Sequence, residues 1–217
     1  MFAAFVLAAL SAVAAIAATT EPVIGGPCEG CEAVFVGKPA KLASTARIAP
    51  LGEPGEPMRV AGTVIAADGK PRSGVVVYAY QTNAKGIYPQ PEKPLGRWPD
   101  RHGHLRGWVI TDREGRYTFE TIRPGSYPSR EAPQHIHMHV IEPGCGTYYI
   151  DDIVFTDDPL LPASERADQH RARAGSGVAT PKRDGVDGTW MVTRDIRLGL
   201  NIPDYPKACG TAPTSRP

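Results

Sequence analysis

Glycine and proline, 23 and 22 residues of 217, are spread through this chain as turn signals, ADGKP, TDREG, RPGSYP and EPGCG among them, and no long amphipathic helical pattern survives between them. What remains between the turns is short and rich in β-branched and aromatic residues. The strand candidates are 58–66, 74–81, 107–111, 116–121, 135–141, 148–155 and 189–198. In VVVYAYQ and RYTFET, bulky apolar residues alternate with polar or small ones, as a strand with one inward face requires. About seven such strands predict an all-β protein, an antiparallel β-sandwich with long loops. Residues 58–203 are expected to form that domain, with irregular terminal arms at 19–57 and 204–217. The polar, basic stretch 159–187 reads as a surface excursion with a helical turn at 163–173.

Lysine and arginine total 24 against 23 acidic residues, so the chain generates no field to steer nucleic acid or an anionic membrane toward it. Residues 2–18 form an apolar run broken only by Ser11 and end in small residues, which reads as a cleaved signal peptide at 1–18. A retained N-terminal anchor is the alternative, because no lysine or arginine precedes the run. Either way the body of the protein is expected to be exported, periplasmic or extracellular. Cys28, Cys31, Cys145 and Cys209 then read as disulfides. Three pairings are open, of which a local Cys28–Cys31 link and a long Cys145–Cys209 link are the expected ones. A CxxC redox or zinc site would need a thioredoxin-like setting or a second CxxC, and neither is present.

The segment PQHIHMHV carries the chemistry. Side chains two apart on a strand leave the same face, so His135 and His137 can converge on one metal ion. Tyr88 in KGIYPQ and Tyr127 in PGSYP sit on constrained turns upstream. Two phenolates and two imidazoles would form a set whose hard oxygens suit ferric iron better than zinc or copper.

Taken in order, VAGTVIAADGKPRSGVVVYAYQTNAKGIY, LRGWVITDREGRYTFETIRPGSYP and HIH resemble the intradiol ring-cleavage dioxygenases, the group of protocatechuate 3,4-dioxygenase and catechol 1,2-dioxygenase. The likeness runs from about residue 59 to 159. It implies a β-sandwich core and non-haem Fe(III) held by Tyr88 and His137 in equatorial positions and by Tyr127 and His135 in axial ones. It also implies a small aromatic diol and O2 as partners, a muconate-type dicarboxylic acid as product, and Tyr127 as the ligand that substrate displaces. Oligomeric assembly is left open.

Two positions depart from the family pattern. The arginine usual three residues before HIH is Ala132 here, which makes Arg130 the nearest replacement as a catalytic cation. A glutamine expected on the following strand aligns with Asp152. These departures leave room for an iron-binding relative that has lost turnover. A third reading, a non-catalytic transthyretin-like sandwich module, fits VAGTVIAADGKP and GRYTFETIRPGSY equally well but leaves Tyr88, Tyr127 and HIH without a purpose. His139 reads as a core or supporting residue, and His102 and His104 as surface or pocket-rim residues. Arg106 and Trp108 could line a pocket or simply pack, and Asp112 belongs to the TDREG turn.

Overall fold

The computed structural model describes residues 21–28, 30–167 and 170–210. The expected signal peptide and residues 211–217 lie outside them. Two sheets pack face to face. The first contains β1 (Thr45–Arg47), β2 (Pro57–Ile65), β5 (Arg116–Ile122), β9 (Lys182–Arg183), β10 (Trp190–Thr193) and β11 (Ile196–Arg197). Its order is β1-β5-β2-β10-β9, with β11 continuing beside β2. The second contains β3 (Val76–Gln81), β4 (Arg106–Ile110), β6 (His135–Glu142), β7 (Gly146–Phe155) and β8 (Val178–Ala179), in the order β4-β3-β6-β7-β8. Two short helices, α1 (Arg97–His102) and α2 (Ala163–Ala167), interrupt the loops; α1 was not foreseen, and α2 is shorter than the helical turn expected at 163–173.

The sandwich is mixed rather than purely antiparallel. Strands β1, β10 and β11 join their sheet in parallel, as β8 does beside β7. Each returns through a long connection, which a parallel pairing requires and a hairpin cannot supply. The strand expected over 189–198 is broken at Arg194. There the chain passes so close to β2 that a side chain at Gly62 would begin 1.9 Å from the Arg194 carbonyl oxygen. Arg194 itself is buried, and its guanidinium donates to the carbonyls of Ala174, Asp195, Asp151 and Arg173.

The period of two along each strand fills the space between the sheets. Met58, Val60 and Val64 of β2 meet Val77 and Ala79 of β3 and Ile136, Met138 and Val140 of β6 in one core. Each of the larger side chains contributes about 1.5–3 kcal/mol by leaving water. The opposite face of the second sheet is also covered. Val76, Tyr78, Trp108 and Ile141 pack there with Val34, which lies in the 3-10 turn Cys31–Phe35. Trp108 donates its indole N–H to the Val34 carbonyl at 2.6 Å, so it is a packing residue. Disulfides link Cys28 to Cys31 and Cys145 to Cys209, the expected pairing. Asp112 caps its turn by accepting the backbone N–H groups of Glu114 and Arg116.

Candidate metal centre

On β6 the odd positions His135, His137 and His139 face away from the sandwich core that Ile136, Met138 and Val140 enter. Across the sheet, Tyr80 stands beside His137 and Tyr78 beside His139. The pairing of β6 with β7 slips by one residue between Ile136 and Met138, so one extra residue of β7 bulges opposite His137. That bulge brings Asp152 to His137, whose Nδ1 lies 2.9 Å from the carboxylate.

The two tyrosine turns meet because each carries a glycine at the contact. A Cβ on Gly86 would sit 1.8 Å from the Ser126 carbonyl oxygen, and one on Gly125 would sit 2.5 Å from that of Ala84. Asn83 ties the pair together: its carbonyl accepts Gly125 N–H, and its side chain accepts the N–H groups of Lys85 and Ile87. The turns therefore lie backbone against backbone and deliver Tyr88 and Tyr127 to the same point.

Four donor atoms converge there. Tyr88 Oη lies 2.8 Å from His137 Nε2 and 2.9 Å from Tyr127 Oη, Tyr127 Oη lies 2.9 Å from His135 Nε2, and the two Nε2 atoms are 3.2 Å apart. His135 Nδ1 donates to the Pro133 carbonyl at 2.7 Å, while His137 Nδ1 donates to Asp152. Both Nε2 lone pairs are thereby turned inward. Four inward acceptors share only the two phenolic protons. Ligands at right angles around one ion, with bonds of about 2.0–2.1 Å, stand roughly 2.8–3.0 Å apart, which is the spacing of three edges of this ring; the edge between the two imidazoles is wider, at 3.2 Å.

The electrostatics point the same way. Burial pushes the Tyr88 hydroxyl far above its ordinary range, reinforced by its contact with Tyr127. Burial also raises Tyr127, partly offset by the hydrogen bond from Tyr88. His135 is lowered by burial and by His137. For Asp152, burial opposes ionisation, but the charge and hydrogen bond of His137 prevail and hold it low. The protein alone thus keeps the two phenols neutral, and an inserted cation is what would make them phenolates.

A cavity of about 480 Å3 opens beside Tyr88, Tyr127 and His137, walled by Tyr80, Trp98 and Tyr149. A second, of about 630 Å3, lies across Tyr127, Tyr149 and Asp152 from it.

The family profile described as Dioxygenase matches residues 33–182, more than half of the chain. The chain belongs to the intradiol dioxygenase family. It is 38% identical over 120 residues to the protocatechuate 3,4-dioxygenase beta chain of Burkholderia cepacia, covering 51% of this chain and 49% of that one. It is 30% identical over 193 residues to chlorocatechol 1,2-dioxygenase of Rhodococcus opacus, covering 80% and 69%. Among solved structures, the dioxygenase domain of a dioxygenase and carbohydrate-binding fusion from Streptomyces sp. SirexAA-E superposes with a TM-score of 0.52 at 24% identity, over 75% of this chain and 93% of that one; this likeness concerns the fold. The chain spans half or less of the length of several curated relatives it matches.

Within this intradiol dioxygenase fold the remaining residues can be placed. Ala132 lines the second cavity. Arg130 lines neither cavity; it is exposed on the turn after Tyr127, with φ of 57° and its N–H bonded to the Tyr127 carbonyl. The cation that does reach the first cavity is Arg101, on α1, a residue the sequence did not single out. His102 is buried at the wall of the first cavity, a pocket residue rather than a surface one: its Nδ1 is 2.9 Å from Tyr78 Oη and its ring stacks on Tyr80 at 3.7 Å. His104 is exposed, and His139 is buried with Nδ1 3.7 Å from Cys31 Sγ. Arg106 packs its guanidinium over Trp108.

Proposed function

We propose that this protein is a non-haem Fe(III) intradiol dioxygenase, taking a catechol-type diol and O2 to a muconate-type dicarboxylic acid. The supporting observation is the closed ring of two phenol oxygens and two imidazole nitrogens opening onto an aromatic-walled cavity. Tyr88, Tyr127, His135 and His137 would hold the metal. Two phenolates favour the ferric over the ferrous ion, as hard anionic donors do. When bound, ferric iron supplies the Lewis acidity that makes a catechol surrender both hydroxyl protons and pass electron density out of its ring. Both atoms of O2 enter the product, so no external reductant is needed.

The chain's own groups serve that chemistry in distinct ways. Tyr127 Oη, on the more open of the two tyrosine turns, would as a phenolate be placed to accept a catechol proton. Pro133 and Asp152 fix the tautomers of His135 and His137, and the Asp152 carboxylate makes His137 the more basic donor. Trp98, Tyr80 and Tyr149 offer flat faces to a substrate ring. Two disulfides support an oxidising, extracytoplasmic compartment as the place of work.

A second reading, iron binding without turnover, is favoured by Ala132 and by the exposed Arg130. One experiment separates the two. Iron-loaded protein should be coloured by charge transfer from tyrosinate, the band should shift with catechol, and oxygen should be consumed. Colour and shift without oxygen uptake across a panel of catechols would support the second reading. Tyr88→Phe and His137→Ala should each abolish the colour; survival of the band in both would refute the ligand set.

A further inference from the structure

The two cavities that flank Tyr127 differ in charge. Glu131, Asp151, Asp152 and Glu165 border the second one. Asp151 accepts the backbone N–H of Arg173, and no lysine or arginine lines this side among the described residues, so it offers an anion no cation. Among the described residues the first cavity has one carboxylate, Asp152, already engaged with His137, and one permanent cation, Arg101. No carboxylate pairs with Arg101 among the described residues. Its neighbour Asp100 is occupied instead with the backbone N–H groups of Leu95 and Gly96. Trp98 holds the guanidinium at 5.0 Å from its ring, on the same wall of the cavity. An arginine stacked on an indole, with its donors unspent, is arranged to receive a planar anion in a fixed orientation.

Size agrees with charge. An apolar cavity of about 150 Å3 is enough for benzene, and this one measures about 480 Å3, leaving room for a ring with a substituent. We infer that Arg101 selects catechols bearing an anionic substituent, a carboxylate above all, and orients them with that group toward α1 and away from the acidic second cavity. This rests on the dioxygenase reading above. It gives the cavity a specificity residue outside the turn that carries Arg130.

The test is calorimetric titration of iron-loaded protein under anaerobic conditions, so that binding is read without turnover, using 3,4-dihydroxybenzoate and 4-methylcatechol. The wild-type protein should prefer the carboxylated ligand. In Arg101→Gln the ratio of the two affinities should fall about tenfold, the loss expected for one charge-assisted hydrogen bond at a partly solvated site. Arg101→Lys should restore part of the ratio. Binding of both ligands with a ratio that Arg101→Gln leaves unchanged, or a wild-type preference for 4-methylcatechol, overturns the role of Arg101 alone. Binding of neither ligand to wild-type protein overturns the dioxygenase reading and this inference with it.

Discussion

Substituting Gly86 by alanine should dismantle the candidate metal centre without touching any of its four donor groups. Gly86 has φ of 76°, where an L-residue costs about 1–2 kcal/mol. Its Cβ would also stand 1.8 Å from the Ser126 carbonyl oxygen, where ordinary contact begins at 3.4 Å. The Ser126–Tyr127 backbone would have to retreat by about 1.5 Å, several times the roughly 0.2 Å within which metal–ligand distances must hold. Gly69→Ala is the control: its φ of 82° carries the same backbone cost, but its Cβ would meet nothing within 4 Å. The difference between the variants therefore isolates the clash, which at the overpacking scale adds about 1–3 kcal/mol. Urea unfolding and competition with a ferric chelator would measure both consequences. Gly69→Ala should lose about 1–2 kcal/mol and keep its iron affinity; Gly86→Ala should lose more and bind iron at least tenfold more weakly. If the two variants unfold together and bind iron alike, the tyrosine turns are not held in register by their glycines.

Other expectations follow from the same geometry. Burial, aided by His139, His137 and Arg106, pulls His102 down to about 3, and burial with His137 pulls His139 down to about 4, both from 6.5. Histidines held neutral in the fold are protonated first in the unfolded chain, so their contribution is complete above pH 6.5 and is lost as pH falls toward 4. At pH 5 each should have cost about 2 kcal/mol relative to neutral pH. Urea midpoints of metal-free protein between pH 7.5 and 5 would measure this, and a flat profile would contradict it. Asp152→Ala should weaken iron binding by about 10- to 100-fold, as loss of a partner behind a ligating histidine does. Asp152→Asn should lose less, because the amide oxygen can still accept from His137 Nδ1; chelator competition giving wild-type affinity for Asp152→Ala would remove the carboxylate from the site.

The parts of this site that were legible in the sequence are those encoded by local period and local turns. HIH announces its common face because strand side chains alternate, whatever the tertiary setting. KGIYP and PGSYP announce constrained turns, and their glycines turn out to be the contact points that join them. What stayed hidden depends on pairing between distant segments. The parallel additions of β1, β8, β10 and β11 have no signature in short runs of two to four residues. Helix α1 is six residues long with a proline inside it, too short for a helical period to show. So Arg101 could not be placed, while Arg130, close in sequence to the missing arginine, attracted the role instead.

Asp152 shows why nearness in sequence is the weaker guide. By alignment it stands where an amide was expected. In the structure a one-residue bulge in β7 turns it onto His137, so its charge is spent on holding an imidazole. The cavity it borders then keeps Arg101 as its uncommitted charge. Replacing Asp152 should consequently do two things at once: weaken the metal through His137, and remove the one carboxylate that lines the first cavity among the described residues. If Asp152 only holds His137, anionic and neutral catechols should lose affinity equally in Asp152→Asn. If its charge also reaches the substrate, the anionic ligand should lose less, because a repulsion has gone with the carboxylate. The close hydrogen bond at 2.9 Å favours the first outcome, and the titrations that test Arg101 would read the difference directly.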